Sequence, residues 1–219
     1  MSRTGSSPSS RPEAPERSGG GPSGPAGGWI GFLFRHRGLV PVPAILFAIV
    51  AARPEAPWTW IGGGAMVLGE GIRLWAAAYL GLTARSSRPV AGKLVTGGPY
   101  ARTRHPLYWG NLFLTLGFAV ASGAGRPWFP LVTAVLFAVL YRGYALREEA
   151  VLAEAFPGPY AAYRKRVPRW RWGWMAAVVP AVAVTGGPSV RRALRVEALS
   201  IHAEAWLGAA LWARAHWFR

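Results

Sequence analysis

The chain is expected to be an all-α, polytopic membrane protein with about five transmembrane helices, six being the alternative, and three observations lead there. Of its 219 residues, 52% are hydrophobic and only 16% are charged, which is too apolar for an ordinary soluble domain. Apolar runs recur along the chain, separated by short Gly/Pro turns or by basic segments. The formal net charge of +16 is carried almost wholly by Arg, and those charges flank the apolar runs as the positive-inside pattern requires. An Arg excess of this size also suits nucleic acid, but its placement beside apolar runs argues against that partner. The absence of Cys excludes disulfides, a thiol nucleophile and Cys-ligated metal.

Residues 1–28 are Ser, Pro, Gly, Arg and Glu with almost no apolar content, and are expected to be a disordered tail without the apolar stretch of a signal peptide. Gly38–Ala52, with its flank 29–34, is the first apolar run. Pro41 and Pro43 sit in its first turns, where a missing N–H costs least. Arg53–Pro57 is a turn, and Trp58–Leu82 the second span. Glu70 and Arg73 lie three apart within it and share a helix face. Ionisable residues at such depth are functional candidates, with a structural pair as the plainer reading. Gly62-Gly63-Gly64 and Gly69 lie in the same run with no strand before them, so close helix packing is expected, not a nucleotide loop. These two spans form an N-terminal hairpin, 29–83.

A central unit, 84–172, follows. It starts with the basic segment Arg85–Lys93 and a loop, Thr96–Gly110, that holds three Gly, two Pro, two Arg, a His and two Tyr. Gly and Pro forbid a simple helix through it. Polar backbone beside membrane helices persists where it is buried in protein or lines a cavity, so the loop is the candidate ligand site. Trp109–Ser122 is a third span starting near Leu107, Gly123–Pro127 a turn, and Trp128–Tyr141 a fourth span whose helix continues to Phe156. Pro157-Gly158-Pro159 is expected to end it. Tyr160–Trp172 is basic and aromatic, as suits a headgroup layer. In the last unit, 173–219, Met175–Val184 is expected to be interfacial and Glu197–Ala213 a final, imperfect span. The Arg distribution places the N-terminus and the loop on the cytoplasmic side of a membrane, expected to be the inner membrane of a bacterium.

A helical hairpin returns its ends to one place, so the third and fourth spans should make His105 and Glu148 neighbours. Loop N–H groups, Arg and His on one wall and a carboxylate among aromatics on the other suit a zwitterionic ligand that carries a cation. Glu149 is read equally well as a solvated helix-end residue, Glu148 less so. No ligand spacing for a metal surrounds His105.

The order Gly98–Pro99–Tyr100, Arg104–His105–Pro106–Leu107–Tyr108–Trp109–Gly110, Glu148–Glu149, Tyr160–Ala161–Ala162–Tyr163 and Val167–Pro168–Arg169 resembles the isoprenylcysteine carboxyl methyltransferase family, which is similar to the phospholipid N-methyltransferases. The resemblance covers about residues 92–170. It implies an integral membrane enzyme that uses S-adenosylmethionine to methylate a lipophilic acceptor. By the same resemblance, cofactor contacts fall on Lys93, Leu94, Val95, Tyr100, His105, Pro106, Leu107, Tyr108 and Glu148. The catalytic candidates are Glu148, Glu149 and Tyr108; a phenol or enol acceptor needs its proton removed, a task open to Glu149, His105 or Tyr108. Where family members often carry an acceptor-binding Arg, four residues before Glu148, this chain has Tyr144. Arg104, Arg142 and Arg147 are the nearest guanidiniums and, with Tyr144, the candidate substrate contacts. The F-G element of the family reads Phe156-Pro157-Gly158.

Tyr144 favours O-methylation of a phenolic or pyrone lipid over a prenylcysteine carboxylate; S-methylation of a small thiol is a further alternative. A dry pocket assists such a transfer, because an oxyanion meeting a sulfonium loses charge separation on the way to the transition state. Two readings of another class are a membrane reductase with a nicotinamide cofactor and a non-catalytic assembly protein. The expected partners are a lipophilic small molecule and membrane lipids, with no nucleic acid.

Overall fold

A computed structural model of the chain describes residues 41–81, 94–171 and 188–217. The expectations for the N-terminal tail, Arg85–Lys93, Trp172 and Met175–Val184 lie outside the described residues. Six α-helices occur among them and no strand: α1 (Val42–Val50), α2 (Trp58–Leu80), α3 (Pro106–Ser122), α4 (Trp128–Ala155), α5 (Pro157–Arg166) and α6 (Val190–Trp217). A short 3-10 turn, Gly98–Ala101, precedes α3.

The α2–α3 pair is the spine. Gly62, Gly69 and Ala76 are buried at seven-residue intervals along α2. Gly110 and Gly117 are buried at the same interval on α3. A Cβ on Gly69 would stand 2.8 Å from the Gly110 carbonyl oxygen, and one on Gly117 2.6 Å from that of Gly62. The two backbones touch through these glycines, the close approach that small residues permit between helices in lipid. Gly63 and Gly64 face open space, so only part of the glycine run serves packing.

Helix α6 lies along the spine. Ala193 packs on Ala77 and Ala78 at one end of α2, and Leu211 packs with Ala48, Ala52, Phe118 and Ala121 at the other. A polar hub joins them midway. The Arg73 guanidinium donates to Asn111 Oδ1 of α3 and to Glu197 Oε2 of α6. It also donates to Ser200 Oγ at 3.2 Å. Glu70 Oε2 stands 3.4 Å from Arg73 Nε, so the i,i+3 pair read from sequence does form. Glu197 is fully buried, and α6 begins seven residues earlier than the Glu197–Ala213 run suggested.

Two boundaries carry physical explanations. Helix α3 ends because Gly123 takes the left-handed conformation at φ 64°, with its N–H on the Val120 carbonyl. The Pro157-Gly158-Pro159 stop does end α4, but Pro157 also opens α5: a proline at the first helical position gives up no hydrogen bond. Among the described residues α4 is the helix long and apolar enough to cross a membrane by length and composition. Helix α2 has the length, but Glu70 and Arg73 interrupt it.

Candidate functional site

The loop is fixed before it meets anything. Gly98, at φ 60°, lies under the Tyr79 ring of α2, and a Cβ there would stand 2.5 Å from ring carbons. Only glycine tolerates both constraints. Val95 and Tyr100 pack on Ala76 with Tyr79, Leu80 and Leu107 around them. Leu94 packs with Tyr160, Tyr163 and Val167. Tyr163 donates its hydroxyl to the Tyr100 carbonyl at 2.7 Å. Burial pushes the Tyr163 phenol well above its ordinary value, so it stays a donor. The Arg104 N–H donates to the Pro168 carbonyl at 3.0 Å, and Thr103 Oγ1 donates to that of Arg169 at 3.0 Å. The loop and the Val167–Arg169 segment thereby form one unit.

Glu149 is the knot of that unit. Its carboxylate accepts from Arg104 NH1 at 2.8 Å, from Arg169 Nε at 2.7 Å and from Arg169 NH2 at 2.8 Å. His105 Nε2 stands 3.0 Å from its Oε1. The residue is 5% exposed. Glu148, next in the chain, points elsewhere. Its side chain is 40% exposed, with Oε2 3.6 Å from His105 Nδ1 and accepting from the Tyr108 hydroxyl at 2.8 Å. The exposure expected from the sequence is therefore inverted: Glu149 is buried and tied, and Glu148 is open. A one-residue step on a helix turns a side chain by about 100°, enough to send the two carboxylates to different surroundings.

The hairpin does return Glu148 to His105. Burial opposes charge on His105, but hydrogen bonds to Glu148 and Glu149 outweigh it and raise its pKa above the ordinary 6.5. The pairing with Glu149 raises Arg169 as well. Around them lies an aromatic wall. The His105 and Tyr108 rings stack at 5.0 Å, and Trp170 tilts against His105 at 5.7 Å. The Tyr141 ring meets Tyr108 edge-on at 4.9 Å, stacks on Phe137 at 3.7 Å and meets Tyr144 at 5.5 Å. Phe137, Tyr141, Tyr144 and Glu148 follow one another at helical spacing on a single face of α4.

The sequence-selected residues thus divide. Leu94, Val95, Tyr100, Arg104, His105, Pro106, Leu107, Tyr108, Tyr144, Glu148 and Glu149 gather around the loop and the end of α4. Arg142 and Arg147 are exposed on α4. Lys93 lies outside the described residues. Three contributors carried no role in the sequence reading: Arg169, Trp170, and Asn111, whose Nδ2 donates to the Tyr141 hydroxyl at 3.1 Å. Arg169 ends the Val-Pro-Arg element already quoted above, so its signal was present; Asn111 stood in an apolar run with nothing beside it to mark it.

Some polar groups in the loop lack protein partners. Thr96 Oγ1 and the Tyr100 hydroxyl are buried without a hydrogen bond, as is Trp109 Nε1 at the start of α3. Buried donors left open in this way fit a ligand that supplies acceptors. Together with the half-open Glu148 carboxylate and the aromatic faces, they fit a ligand bearing both an anionic and a cationic group.

A family model described as phospholipid methyltransferase matches residues 57–158. The cobalt-zinc-cadmium resistance protein CzcN of Cupriavidus metallidurans is 36% identical over 163 residues, covering 67% of this chain and 70% of that one. The nickel-cobalt-cadmium resistance protein NccN of Alcaligenes xylosoxydans xylosoxydans is 31% identical over 147 residues, covering 63% and 65%. No solved structure matches the chain.

Proposed function

The chain belongs to the phospholipid methyltransferase family of membrane-associated methyltransferases, and on that premise we propose that it transfers a methyl group from S-adenosylmethionine to the hydroxyl of a lipophilic, aromatic acceptor. The observation that carries the reading is the meeting of the Tyr100–Tyr108 loop with Glu148, and of both with an aromatic face that continues along α4. In this reading the protein crosses the bacterial inner membrane with five helices, and the loop faces the cytoplasm.

When bound, the cofactor supplies a methyl group on a sulfonium. The loop donors at Thr96 and Tyr100 would hold its anionic end, and Glu148 with the His105, Tyr108 and Trp170 rings would face its cationic part. Tyr108, which donates to Glu148 at 2.8 Å, would take the proton of the acceptor hydroxyl as its own proton moved to Glu148. Glu149 is a positioning residue. Four contacts from three basic side chains occupy its oxygens, which leaves it poorly placed to act as a base.

The acceptor class follows from what lines the approach. Tyr144 stands at the family's Arg position, Arg104 is committed to Glu149, and Phe137, Tyr141 and Tyr144 offer flat aromatic faces. A phenolic or pyrone ring stacks on such faces, whereas a prenylcysteine carboxylate would need a guanidinium.

The test is binding of S-adenosylmethionine, or its demethylated product, to the detergent-solubilised chain by calorimetry. Saturable binding that Glu148→Ala weakens is expected; folded protein with no binding overturns the reading. Incubation with labelled cofactor and an alkylresorcinol should then give an alkali-stable ether. An alkali-labile methyl ester from a prenylcysteine would favour the carboxyl acceptor instead.

Both relatives are named as metal resistance proteins, which supports a second reading, in which the methylated product serves metal tolerance. Among the described residues no group of three His, Asp or Glu is arranged to hold a metal ion, so we place this role in the product and not in a metal site of the chain. Loss of growth on cobalt, zinc or cadmium in a deletion strain, restored by the wild type but not by Glu148→Ala, is the expected outcome. Full restoration by Glu148→Ala sinks it.

A further inference from the structure

The end of the bundle remote from the candidate site holds a pocket of about 560 Å³. Each turn at that end carries a single arginine: Arg53 after α1, and Arg126 between α3 and α4. The fold brings both to this pocket, and Arg214 joins them from the end of α6. Glu55 is the acid among the lining residues. Arginines thus outnumber carboxylates among the lining residues by three to one.

The pocket is a built structure. The Arg53 N–H donates to the Ser122 carbonyl at 2.7 Å, tying the first turn to the end of α3. Arg126 stacks over the Trp58 ring with its guanidinium carbon 5.2 Å from the centroid. Its Nε is buried without an acceptor. A Cβ at Gly123 would stand 2.8 Å from Arg126 NH2, so the turn and the guanidinium fit only with glycine there. Neither Arg53 nor Arg126 makes an ion pair among the described residues.

One side of the pocket is apolar. Phe47 and Val50 of α1 line it and are 48% and 74% exposed. Trp58, Trp60 and Trp128, all exposed, open α2 and α4 at this same end, the arrangement of an aromatic belt at a membrane–water boundary. Guanidiniums match phosphate oxygens in charge and in planar geometry. A phosphate attached to an acyl chain would satisfy the basic floor and the apolar wall together, whereas a free anion would satisfy only the floor.

We propose that the Arg53–Arg126–Arg214 pocket binds the headgroup phosphate of an anionic phospholipid in the leaflet opposite the candidate methyl-transfer site. The lipid's chains lie against Phe47 and Val50, and its phosphate offsets the charge of Arg53 and Arg126. The pocket uses no residue of the proposed methyl-transfer machinery, so the proposal stands or falls separately from the reading above.

The test measures retention of phosphatidylglycerol and phosphatidylcholine by the full chain, released from nonionic detergent for native mass spectrometry. Arg53→Gln/Arg126→Gln should weaken phosphatidylglycerol binding by about 30-fold, roughly fivefold per headgroup-level charge. The control pair Arg164→Gln/Lys165→Gln, exposed on α5 at the other end, should leave this high-affinity lipid unchanged. Equal loss in both pairs, no loss in the first, or phosphatidylcholine held as tightly as phosphatidylglycerol overturns the proposal. Inorganic phosphate that competes the lipid away at equal concentration overturns the lipid assignment in favour of a free-anion site. If the double variant does not fold, Arg53→Gln alone carries the test, because its side chain is exposed; a loss of about fivefold is expected and an unchanged affinity counts against the pocket.

Discussion

Two polar hubs organise the molecule, and they are charge inverses of each other. At the loop one carboxylate, Glu149, is surrounded by Arg104, His105 and Arg169. Within the helices one guanidinium, Arg73, meets Glu70 and Glu197, with Glu204 of α6 facing Glu70. Both tie together segments far apart in sequence. They differ in what their outer groups can do when the centre is lost. A carboxyl group can take a proton and become neutral, whereas a guanidinium cannot shed its charge. The acid-centred hub therefore has no way to relax except by exposing its arginines to solvent. The base-centred hub can discharge itself.

The largest effect should come from the acid centre. Glu149→Ala leaves Arg104 without its carboxylate partner at a buried position and releases Arg169 from the loop. A loss of about 3–5 kcal/mol is expected from breaking one side of a buried ion pair. Denaturation of the detergent-solubilised chain measures it, and a loss below about 1 kcal/mol would mean that the loop is held by Tyr163 and Pro168 contacts alone. Arg73→Met should cost less, about 1–3 kcal/mol for leaving Glu197 and Asn111 with unmet bonds. An equal cost for both variants at every pH would remove the distinction between the hubs.

How much of each hub was legible follows from their geometry. Glu70 and Arg73 sit three apart on one helix, so their pairing could be read from spacing; Glu197 lies 124 residues away from Arg73, and no local pattern points to it. The His105–Glu148 approach was legible because a hairpin must return its chain to its starting level. Which of the two glutamates would be buried was not, since adjacent helical positions differ only in direction, and direction is set by the Val167–Arg169 segment that supplies Arg169. The glycines told a similar story. Gly62 and Gly69 were readable as packing positions, but their partners Gly110 and Gly117 become meaningful only once α2 and α3 are laid antiparallel. Pro157 was readable as a break, and its second role as the first residue of α5 depends on the chain finding room for another turn.

Glu148 separates binding from stability, which Glu149 does not. Its side chain is 40% exposed, so Glu148→Gln should cost less folding stability than Glu149→Ala, about 1 kcal/mol for its bonds to Tyr108 and His105. It should weaken S-adenosylmethionine binding by about tenfold or more, the worth of one hydrogen bond to a charged group. Calorimetric titration beside a thermal-unfolding curve gives both quantities. A variant that loses stability and retains affinity would transfer the cofactor role from Glu148 to another group and make the two glutamates structurally alike.

The smallest effect is the most specific. His105 is buried between the carboxylates, with Nε2 toward Glu149 and Nδ1 toward Glu148, its ring stacked on Tyr108 and tilted against Trp170; Arg104 and Arg169 share Glu149 with it. Its pKa in the folded chain is raised above 6.5. A raised histidine binds its proton more tightly folded than unfolded, so its stabilisation is complete below the unfolded value and is lost as pH rises through the folded one. The wild type should therefore lose stability across the neutral-to-alkaline range, and His105→Gln should flatten that slope. Glu149→Ala should cost more at low pH than at high pH for the same reason. Unfolding midpoints for wild type, His105→Gln and Glu149→Ala from pH 6 to pH 9 would resolve it. Parallel curves for wild type and His105→Gln would mean that the histidine stays neutral in the folded chain, held by stacking on Tyr108 and not by charge.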